Sequence, residues 1–289
     1  MAEFTRNMGK KLIDSLSENE LFKTKLKPDI QNGQVFFAIR PGYGSFYVKG
    51  RSLFTYKSKG FSSHEKFVFI PDKLKGSYIY ENQLKNLQPI PNFCTGYERI
   101  KKRAEQYADD EAIGVSALYA FAPNEKNIDC RYFLVDIEVV FDAANDDENN
   151  DNRKTDRIDF LLYDNYKQKL LFCEAKHFSN PEIWASENNN PKVVMQLEKY
   201  NRQIFANKDV IIKQYTNAFS VYNALMGTSL KPPLDVHDKC GLYIFGFNMQ
   251  GLSKLKSIMN GRNIFYGHPC RIIGNSRGDS VEKIYGELT

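Results

Sequence analysis

Three apolar runs decide the fold of this chain: YFLVDIEVVF at residues 132–141, DRIDFLLY at 156–163 and LLFCEAKHF at 170–178. Each run is rich in the β-branched and aromatic residues that favour strands. Only the short turn 164–167 separates the second run from the third, and so tight a connection predicts an antiparallel hairpin. We therefore expect three neighbouring strands in this part of the chain.

Charged residues interrupt each of these apolar runs. Because side chains alternate along a strand, Glu174 and Lys176 share one face of the predicted strand while Ala175 points to the other. Asp159 lies in the middle run and Glu138 in the first. A charge within an apolar sheet is costly unless it is paired or binds a metal. The pattern therefore predicts either a metal site or an ion-pair cluster.

The spacing of these residues alone leaves both interpretations open. Carboxylates on adjacent strands repel each other, and a hard divalent cation such as Mg²⁺ would relieve the repulsion. Lys176 would then orient an attacking water or stabilise charge on a phosphate, which suits phosphodiester hydrolysis. The alternative is a salt-bridge cluster of Glu174, Lys176 and Asp159 on an exposed sheet face.

Two motifs resemble a known group of enzymes. Asp159, followed by Glu174-Ala175-Lys176, resembles the D…(D/E)xK signature of the PD-(D/E)xK nuclease superfamily, which has the restriction-endonuclease-like fold. Gln196 and Tyr200 are similar to the QxxxY motif of the RecB-like branch of that superfamily. Residues four apart share a helical face, so both side chains would project from the same side of the predicted helix.

The order of predicted elements is also similar to that of the family. A helix at 97–122, the three strands, a helix beginning near Pro191 and the apolar run 241–247 (GLYIFGF) follow the family's αβββαβ core. The resemblance implies an α/β fold in which helices flank a mixed central sheet. A β-rich domain would precede this core.

The resemblance further implies a metal-dependent nuclease that hydrolyses DNA. The implied catalytic residues are Asp159, Glu174, Lys176, Gln196 and Tyr200. The implied cofactor is Mg²⁺, with Mn²⁺ as a substitute, held by Asp159, Glu174, the Ala175 carbonyl and an upstream acid. We expect that acid to be Glu138 rather than Glu98, Glu105 or Glu111, because an acid within an apolar strand is hardest to explain otherwise.

Positive charge is concentrated in the first part of the chain. Residues 1–108 contain 19 Lys+Arg and 10 Asp+Glu, whereas residues 109–289 contain 21 and 25. Many of these cations stand at turns between aromatic residues of a predicted β meander, a mixture suited to a nucleic-acid strand. The candidate nucleic-acid-binding residues are Arg40, Lys49, Arg51, Lys57, Lys59, Lys101, Lys102 and Arg103. The alternative is a solvated basic face over an aromatic core.

The region around Pro89 and Pro91 is typical of a linker, so we place a boundary near residue 95. A β-rich basic N-terminal domain at 1–95 would bind substrate or a partner, and a nuclease domain would occupy 96–289. No apolar run approaches the ~20 residues of a membrane-spanning helix, and the N-terminus lacks the apolar region of a secretory signal. We therefore expect a cytoplasmic protein without a membrane partner.

The biological role follows from fold-level analogy alone. The resemblance favours a restriction or anti-phage defence system, with DNA and a partner protein of that system as binding partners. Whether the chain forms a homodimer to cut both strands stays open. The alternative function is a nucleic-acid-binding or assembly subunit of a defence complex, whose nuclease site is inactive or becomes active only with a partner.

Overall fold

The computed structural model describes residues 4–68, 78–86, 90–141, 157–185, 189–259 and 263–289. The chain is mixed α/β and forms two compact units. The N-terminal unit comprises Arg6–Ile128 and Asn217–Leu230. The C-terminal unit comprises Met1–Thr5, Asp129–Thr216 and Lys231–Thr289.

The described part of the N-terminal unit contains a five-stranded sheet whose antiparallel strands pair in chain order. The predicted β meander is therefore confirmed. The β2–β3 hairpin turns at Lys49-Gly50, where φ is positive at both residues (45° and 74°), as tight hairpin turns require. The strands are β1 (Phe36–Arg40), β2 (Tyr43–Val48), β3 (Arg51–Lys57), β4 (Gly60–His64) and β5 (Tyr78–Tyr80); the helices are α1 (Lys10–Glu18), a π-helical turn (Phe22–Leu26), α2 (Lys27–Gln31), α3 (Glu65–Val68), α4 (Phe93–Glu105) and α5 (Asp110–Ser116), with 3-10 turns at Glu81–Asn86, Tyr119–Phe121 and Glu125–Asn127.

Helix α4 packs on this sheet, and this differs from the boundary expected near residue 95. The ring of Phe54 on β3 lies 5.0 Å from that of Phe93 and 6.3 Å from that of Tyr97, both on α4. Position 95 therefore falls inside a helix of the N-terminal unit, which extends to Ile128. Pro91 precedes this helix without separating it from the sheet, and Pro89 lies outside the described residues.

The helix predicted over 97–122 is two helices, and both belong to the N-terminal unit. Helix α4 ends at Glu105. Asp109 then begins α5, because its side chain accepts a hydrogen bond from the Ala112 N–H at 2.8 Å. Asp is a favoured residue at such a helix start, so α5 begins separately from α4 where one continuous helix was predicted.

Lys101 on α4 is buried and paired. Its Nζ donates to Asp29 Oδ2 at 2.5 Å and to Gln34 Oε1, and Tyr97 Oη donates to the same Asp29 oxygen at 2.7 Å. Only 9% of the Lys101 side chain and 16% of the Asp29 side chain are exposed. The charge of Lys101 is therefore neutralised within the unit, which does not favour the expectation that this residue binds nucleic acid.

The described part of the C-terminal unit contains a mixed seven-stranded sheet in the order β11-β12-β10-β8-β7-β6, with β9 also paired to β8. The antiparallel β7–β8 hairpin is confirmed, and β10 pairs with β8 in parallel. The strands are β6 (Tyr132–Val140), β7 (Arg157–Asp164), β8 (Lys169–His177), β9 (Asp235–Val236), β10 (Gly241–Phe245), β11 (Ile264–Phe265) and β12 (His268–Ile273); the helices are α6 (Lys192–Ala206), α7 (Lys208–Met226), α8 (Met249–Ile258) and α9 (Val281–Leu288), with 3-10 turns at Pro181–Ile183 and Ser276–Gly278. Residues from Asn217 onward in α7 count with the N-terminal unit.

Within the described residues, no helix is both long enough and apolar enough to cross a bilayer. This agrees with the expectation of no membrane-spanning helix. The cytoplasmic location remains a prediction.

Replacing Asp29 should destabilise the N-terminal unit, because the ammonium of Lys101 would stay buried without its carboxylate. We expect Asp29→Ala to cost about 3 kcal/mol of unfolding free energy, measured as a shift in the urea midpoint of the N-terminal unit. Lys102→Ala, at an exposed position on the same helix, is the matched control and should shift stability by less than ~0.5 kcal/mol. Equal effects of the two variants would contradict the buried pair.

Candidate active site

Three carboxylates stand in one row across strands β6, β7 and β8. In the β6–β7 pair, the residues flanking Glu138 lie opposite the residues flanking Asp159. In the β7–β8 pair the last paired residues are Phe160 and Cys173, and one step further brings Asp159 beside Glu174. The row thus joins Glu138, Asp159 and Glu174, one acid from each of the three apolar runs.

The ladder between β7 and β8 ends at this row. Asp159 Oδ2 accepts the Ala175 N–H at 2.7 Å, so a carboxylate oxygen takes the place of a main-chain acceptor. Beyond this point β8 continues to pair with β10, where Leu242 lies beside Glu174. The site therefore forms where one strand pair stops and the next continues.

Asp159 is partly buried next to another carboxylate. Burial, and then repulsion from Glu174, raise the pKa of Asp159 well above the ordinary value, while the ammonium of Lys176 and the Ala175 N–H act in the opposite direction. Glu138 adds a smaller repulsion that also raises this pKa. A positive charge added next to these carboxylates would therefore be stabilised.

Lys176 lies between two carboxylates in the interior. Its Nζ is 2.8 Å from Glu174 Oε1 and 3.1 Å from Glu182 Oε2. Only 6% of the Lys176 side chain and 2% of the Glu174 side chain are exposed, whereas 38% of the Glu182 side chain is. The predicted common face of Glu174 and Lys176 is confirmed, and the cluster is buried rather than on an exposed sheet face.

Glu182 is a site residue that the motif search does not reveal. It lies in the 3-10 turn Pro181–Ile183, which begins at Asn180, whose Oδ1 accepts the Glu182 N–H at 2.9 Å. Fully buried Ile183 anchors the turn. An Asn-Pro-Glu sequence just after a charged strand indicates a capped turn. Only the tertiary structure shows that Glu182 lies close to Lys176.

Gln196 and Tyr200 share one face of α6, as predicted. Gln196 Nε2 donates a long hydrogen bond of 3.4 Å to Tyr200 Oη, which donates to the Arg157 carbonyl at 2.9 Å. Tyr200 thus ties α6 to β7 two residues from Asp159. The Oε1 atom of Gln196 is buried and has no hydrogen-bond partner among the described residues. It is therefore a buried acceptor without a described donor.

Glu138 has an unusual main-chain conformation and a cationic partner. Its φ is +52°, a left-handed conformation that costs a non-glycine residue about 1–2 kcal/mol. Its Oε2 lies 2.6 Å from Nη1 of Arg157. Strained main-chain conformations outside turns cluster at functional sites. Glu138 therefore lies in the row, but its carboxylate is paired with Arg157.

The side chains at this site meet only part of what binding a hard cation requires. Among the described residues, no group of three or more His, Cys, Asp or Glu side chains is placed to hold a metal ion. Mg²⁺, however, keeps several waters and binds proteins through one or two carboxylates, which Asp159 and Glu174 can supply. The ammonium of Lys176, 2.8 Å from Glu174 Oε1, would compete with a cation for this carboxylate. Ala175 presents its N–H, rather than its carbonyl, to Asp159.

The candidate nucleic-acid-binding residues fall into two groups. Lys49 Nζ lies 2.9 Å from Glu105 Oε2, and Arg51 Nη2 lies 2.6 Å from Asp109 Oδ2, so both cations are paired, as Lys101 is. The second group comprises Arg40, Lys57, Lys59, Lys102 and Arg103. Of these, Lys57, Lys59 and Lys102 are exposed, whereas Arg40 is buried against the Tyr47 ring at 5.4 Å.

The raised pKa of Asp159 predicts a pH-dependent effect of Asp159→Asn on stability. A carboxyl whose pKa is raised by folding destabilises the folded state once it ionises, so the penalty grows as pH rises above the ordinary value of 3.8. The isosteric amide can still accept the Ala175 N–H. Without added metal, we expect Asp159→Asn to raise the melting temperature at pH 8, by roughly 2–4 °C for each kcal/mol of relieved repulsion.

This gain should shrink as the pH is lowered and vanish below about pH 3, where the carboxyl is protonated in both the folded and the unfolded state. Asp129→Asn, at an exposed position of the same unit, is the control and should leave the melting curve unchanged at every pH. A destabilised Asp159→Asn variant at pH 8 would contradict the raised pKa.

Comparisons with known proteins found no match for this chain. No protein-family model matches the chain. No curated protein and no solved structure matches it either. The function has to be inferred from Asp159, Glu174 and Lys176 and from the strands that carry them.

Proposed function

We propose that the C-terminal unit is a metal-dependent nuclease that hydrolyses phosphodiester bonds of DNA. One observation carries the proposal: Asp159 and Glu174 lie side by side at the end of a strand pair, with the ammonium of Lys176 buried against them. Two acids and a lysine in this arrangement combine a place for a hard cation with a donor for a phosphate oxygen.

The order and pairing of the elements support the restriction-endonuclease-like interpretation. Strands β6, β7 and β8 are consecutive and antiparallel, α6 follows, and β10 then pairs in parallel with β8. This agrees with the βββαβ part of the expected core. The helix expected at the start of that core belongs instead to the N-terminal unit, so the proposal rests on the strands and α6.

Asp159 and Glu174 would hold Mg²⁺, which, when bound, neutralises negative charge at the phosphate and makes water easier to deprotonate. Lys176 Nζ would donate to the attacking water or to a phosphate oxygen on which charge develops. Attack of the water oxygen on phosphorus breaks one P–O ester bond, and the departing oxygen takes up a proton. Gln196 Oε1 supplies a further acceptor near β7, and Tyr200 holds α6 in place.

The direct test is cleavage of plasmid, single-stranded DNA and RNA by the purified chain after EDTA treatment, with and without added Mg²⁺ or Mn²⁺. We expect cleavage of DNA only with metal. Lys176→Ala should lower the cleavage rate by at least about 100-fold, the usual effect of removing one donor to a developing charge. Asp159→Asn should also abolish most of the cleavage, because it removes one of the two carboxylates proposed to hold the metal.

Lys213→Ala, at an exposed position on α7, is the control for a lost lysine and should cleave at the wild-type rate. Melting curves of all variants would show that they are folded. Equal cleavage by wild type and Lys176→Ala would mean that the activity lies elsewhere. An inert wild type on every substrate and metal would favour the alternative, an assembly subunit whose site is inactive or needs a partner.

Glu182 should assist metal binding, because it gives Lys176 a second carboxylate when Glu174 turns to the cation. In Glu182→Gln, Glu174 would be the remaining carboxylate beside Lys176 at this site. A cation that binds Glu174 would then have to compete with the ammonium for it. Since Glu182 is more than one-third exposed, we expect a modest effect, with Kd for Mn²⁺ rising about fivefold, or ~1 kcal/mol. Isothermal titration calorimetry measures this without any cleavage.

Glu198→Gln removes an exposed carboxylate from α6 and controls for the loss of one negative charge. Its Kd should stay within twofold of wild type, roughly the limit set by screened charges. A Glu182→Gln variant that binds Mn²⁺ as tightly as wild type would rule out this supporting role.

A further inference from the structure

We propose that helix α4 of the N-terminal unit carries a binding site for a phosphate dianion, the charge state of a phosphate monoester. We call it the α4 anion site. Its residues are Glu98, Arg99, Lys102, Arg103 and Gln106, which line a cavity of about 530 Å³. The inference goes beyond the proposed nuclease function, because it concerns the other unit and requires neither a metal ion nor cleavage.

The periodicity of α4 brings the cations of this site to one side of the helix. Residues three or four apart are neighbours on a helix surface, with about 5–6 Å between their Cβ atoms. Arg99 precedes Lys102 by three residues and Arg103 by four. The side of α4 that packs on the sheet is turned the other way. The three cations therefore gather on the side of the helix that faces away from the apolar core.

Arg103 provides the observation that points to a ligand. Its side chain is half-buried, and its Nη1 atom is buried without a hydrogen-bond partner among the described residues. A guanidinium stays protonated in proteins, so its N–H groups always need acceptors. Leaving a buried donor unsatisfied is costly, and more so for a charged group. An oxyanion bound to Arg103 would supply the missing acceptor.

The electrostatic surroundings of Arg103 also favour an anion. Burial and then the positive charge of Arg99 lower the pKa of Arg103, whereas Tyr107 acts to a smaller extent in the opposite direction. Among the described residues, no carboxylate offsets this repulsion at Arg103. Like charges four residues apart destabilise a helix. A negative charge next to Arg99 and Arg103 would therefore be attracted by both.

The cations of the α4 anion site differ from the buried lysine on the same helix. Lys101 is paired with Asp29, whereas no ion pair in the described part of the chain joins Arg99, Lys102 or Arg103 to a carboxylate. Lys102 and Arg103 lie in the last turn of α4, where positive charge also suits the helix dipole. That effect does not provide an acceptor for the buried Nη1 atom, so a bound anion is still required to explain it.

Charge balance selects a phosphate monoester or free phosphate as the occupant. The cavity is lined by three cations and one carboxylate, that of Glu98, which leaves a net charge of +2. A phosphate monoester carries a charge of about −1.5 to −2 at neutral pH, whereas a phosphodiester carries a single negative charge. Guanidinium groups match phosphate oxygens with paired N–H donors, and the amide of Gln106 would donate a further hydrogen bond.

The test is isothermal titration calorimetry of the full chain at pH 8, in EDTA and at constant ionic strength set with NaCl. The probes are inorganic phosphate, thymidine 5′-monophosphate and an oligo(dT) without terminal phosphates. We expect the first two to bind. Arg99→Ala, at an exposed position, should raise the Kd for phosphate about tenfold through the loss of one charge-assisted hydrogen bond. Arg103→Gln should weaken binding at least as much.

Arg202→Ala is the matched control. Arg202 is an exposed arginine on α6 of the C-terminal unit, so this variant also loses one helical guanidinium, but outside the α4 anion site. It should bind phosphate with wild-type affinity. Melting curves would show that each variant is folded. If Arg103→Gln does not fold, the exposed Arg99→Ala variant decides the test.

Each outcome supports or overturns the α4 anion site. Absence of phosphate binding, or a phosphate Kd that Arg99→Ala leaves unchanged, would overturn it. Oligo(dT) that binds more tightly than phosphate, through Arg99, would overturn the dianion as the occupant and indicate a phosphodiester. Tighter binding of thymidine monophosphate than of phosphate would support the site with a nucleotide as the source, and equal binding would support it with free phosphate. Cleavage of DNA is measured separately with metal, so either proposal can fail alone.

Discussion

The ammonium of Lys176 lies in the interior of the C-terminal sheet, and the candidate site is arranged to neutralise it. Burying an ion costs several kcal/mol unless a well-placed counter-ion compensates. Here Glu174 and Glu182 lie 2.8 Å and 3.1 Å from the ammonium. The strand therefore has to bring Glu174 to the same face, and the following turn has to bring Glu182 back over the strand. With two carboxylates available, the lysine can lose one without being left unpaired.

The main chain around this cluster departs from regular pleating in two places. The β7–β8 ladder stops where the Asp159 carboxylate accepts the Ala175 N–H, and Glu138 has a positive φ within β6. Both departures occur in the row of carboxylates, where regular strands would simply continue. Tyr200 bonds the Arg157 carbonyl from the α6 side, which holds β7 next to the irregular region. Strain that its surroundings hold in place is common at functional sites.

The N-terminal sheet shows that a basic segment need not form a basic surface. Lys101 is neutralised inside the unit by Asp29, and Lys49 and Arg51 are paired with carboxylates further along the chain. The excess of cations in residues 1–108 is therefore partly used within the unit. Composition alone would have weighted every lysine equally.

The sequence by itself determined the features that depend on neighbouring residues. Alternation predicted the common face of Glu174 and Lys176, helical spacing predicted that of Gln196 and Tyr200, and a short turn predicted the β7–β8 hairpin. Each follows from the period of a strand, the pitch of a helix or the length of a loop.

Only the tertiary structure decided which distant residues meet. It joined α4 to the N-terminal sheet through Phe54, buried Lys101 against Asp29, and brought Glu182 to Lys176. These contacts are set by packing and by the need to pair buried charges. Neither requirement leaves a periodic signal in the sequence, because the partners lie on separate elements or beyond a turn whose direction local residues do not specify.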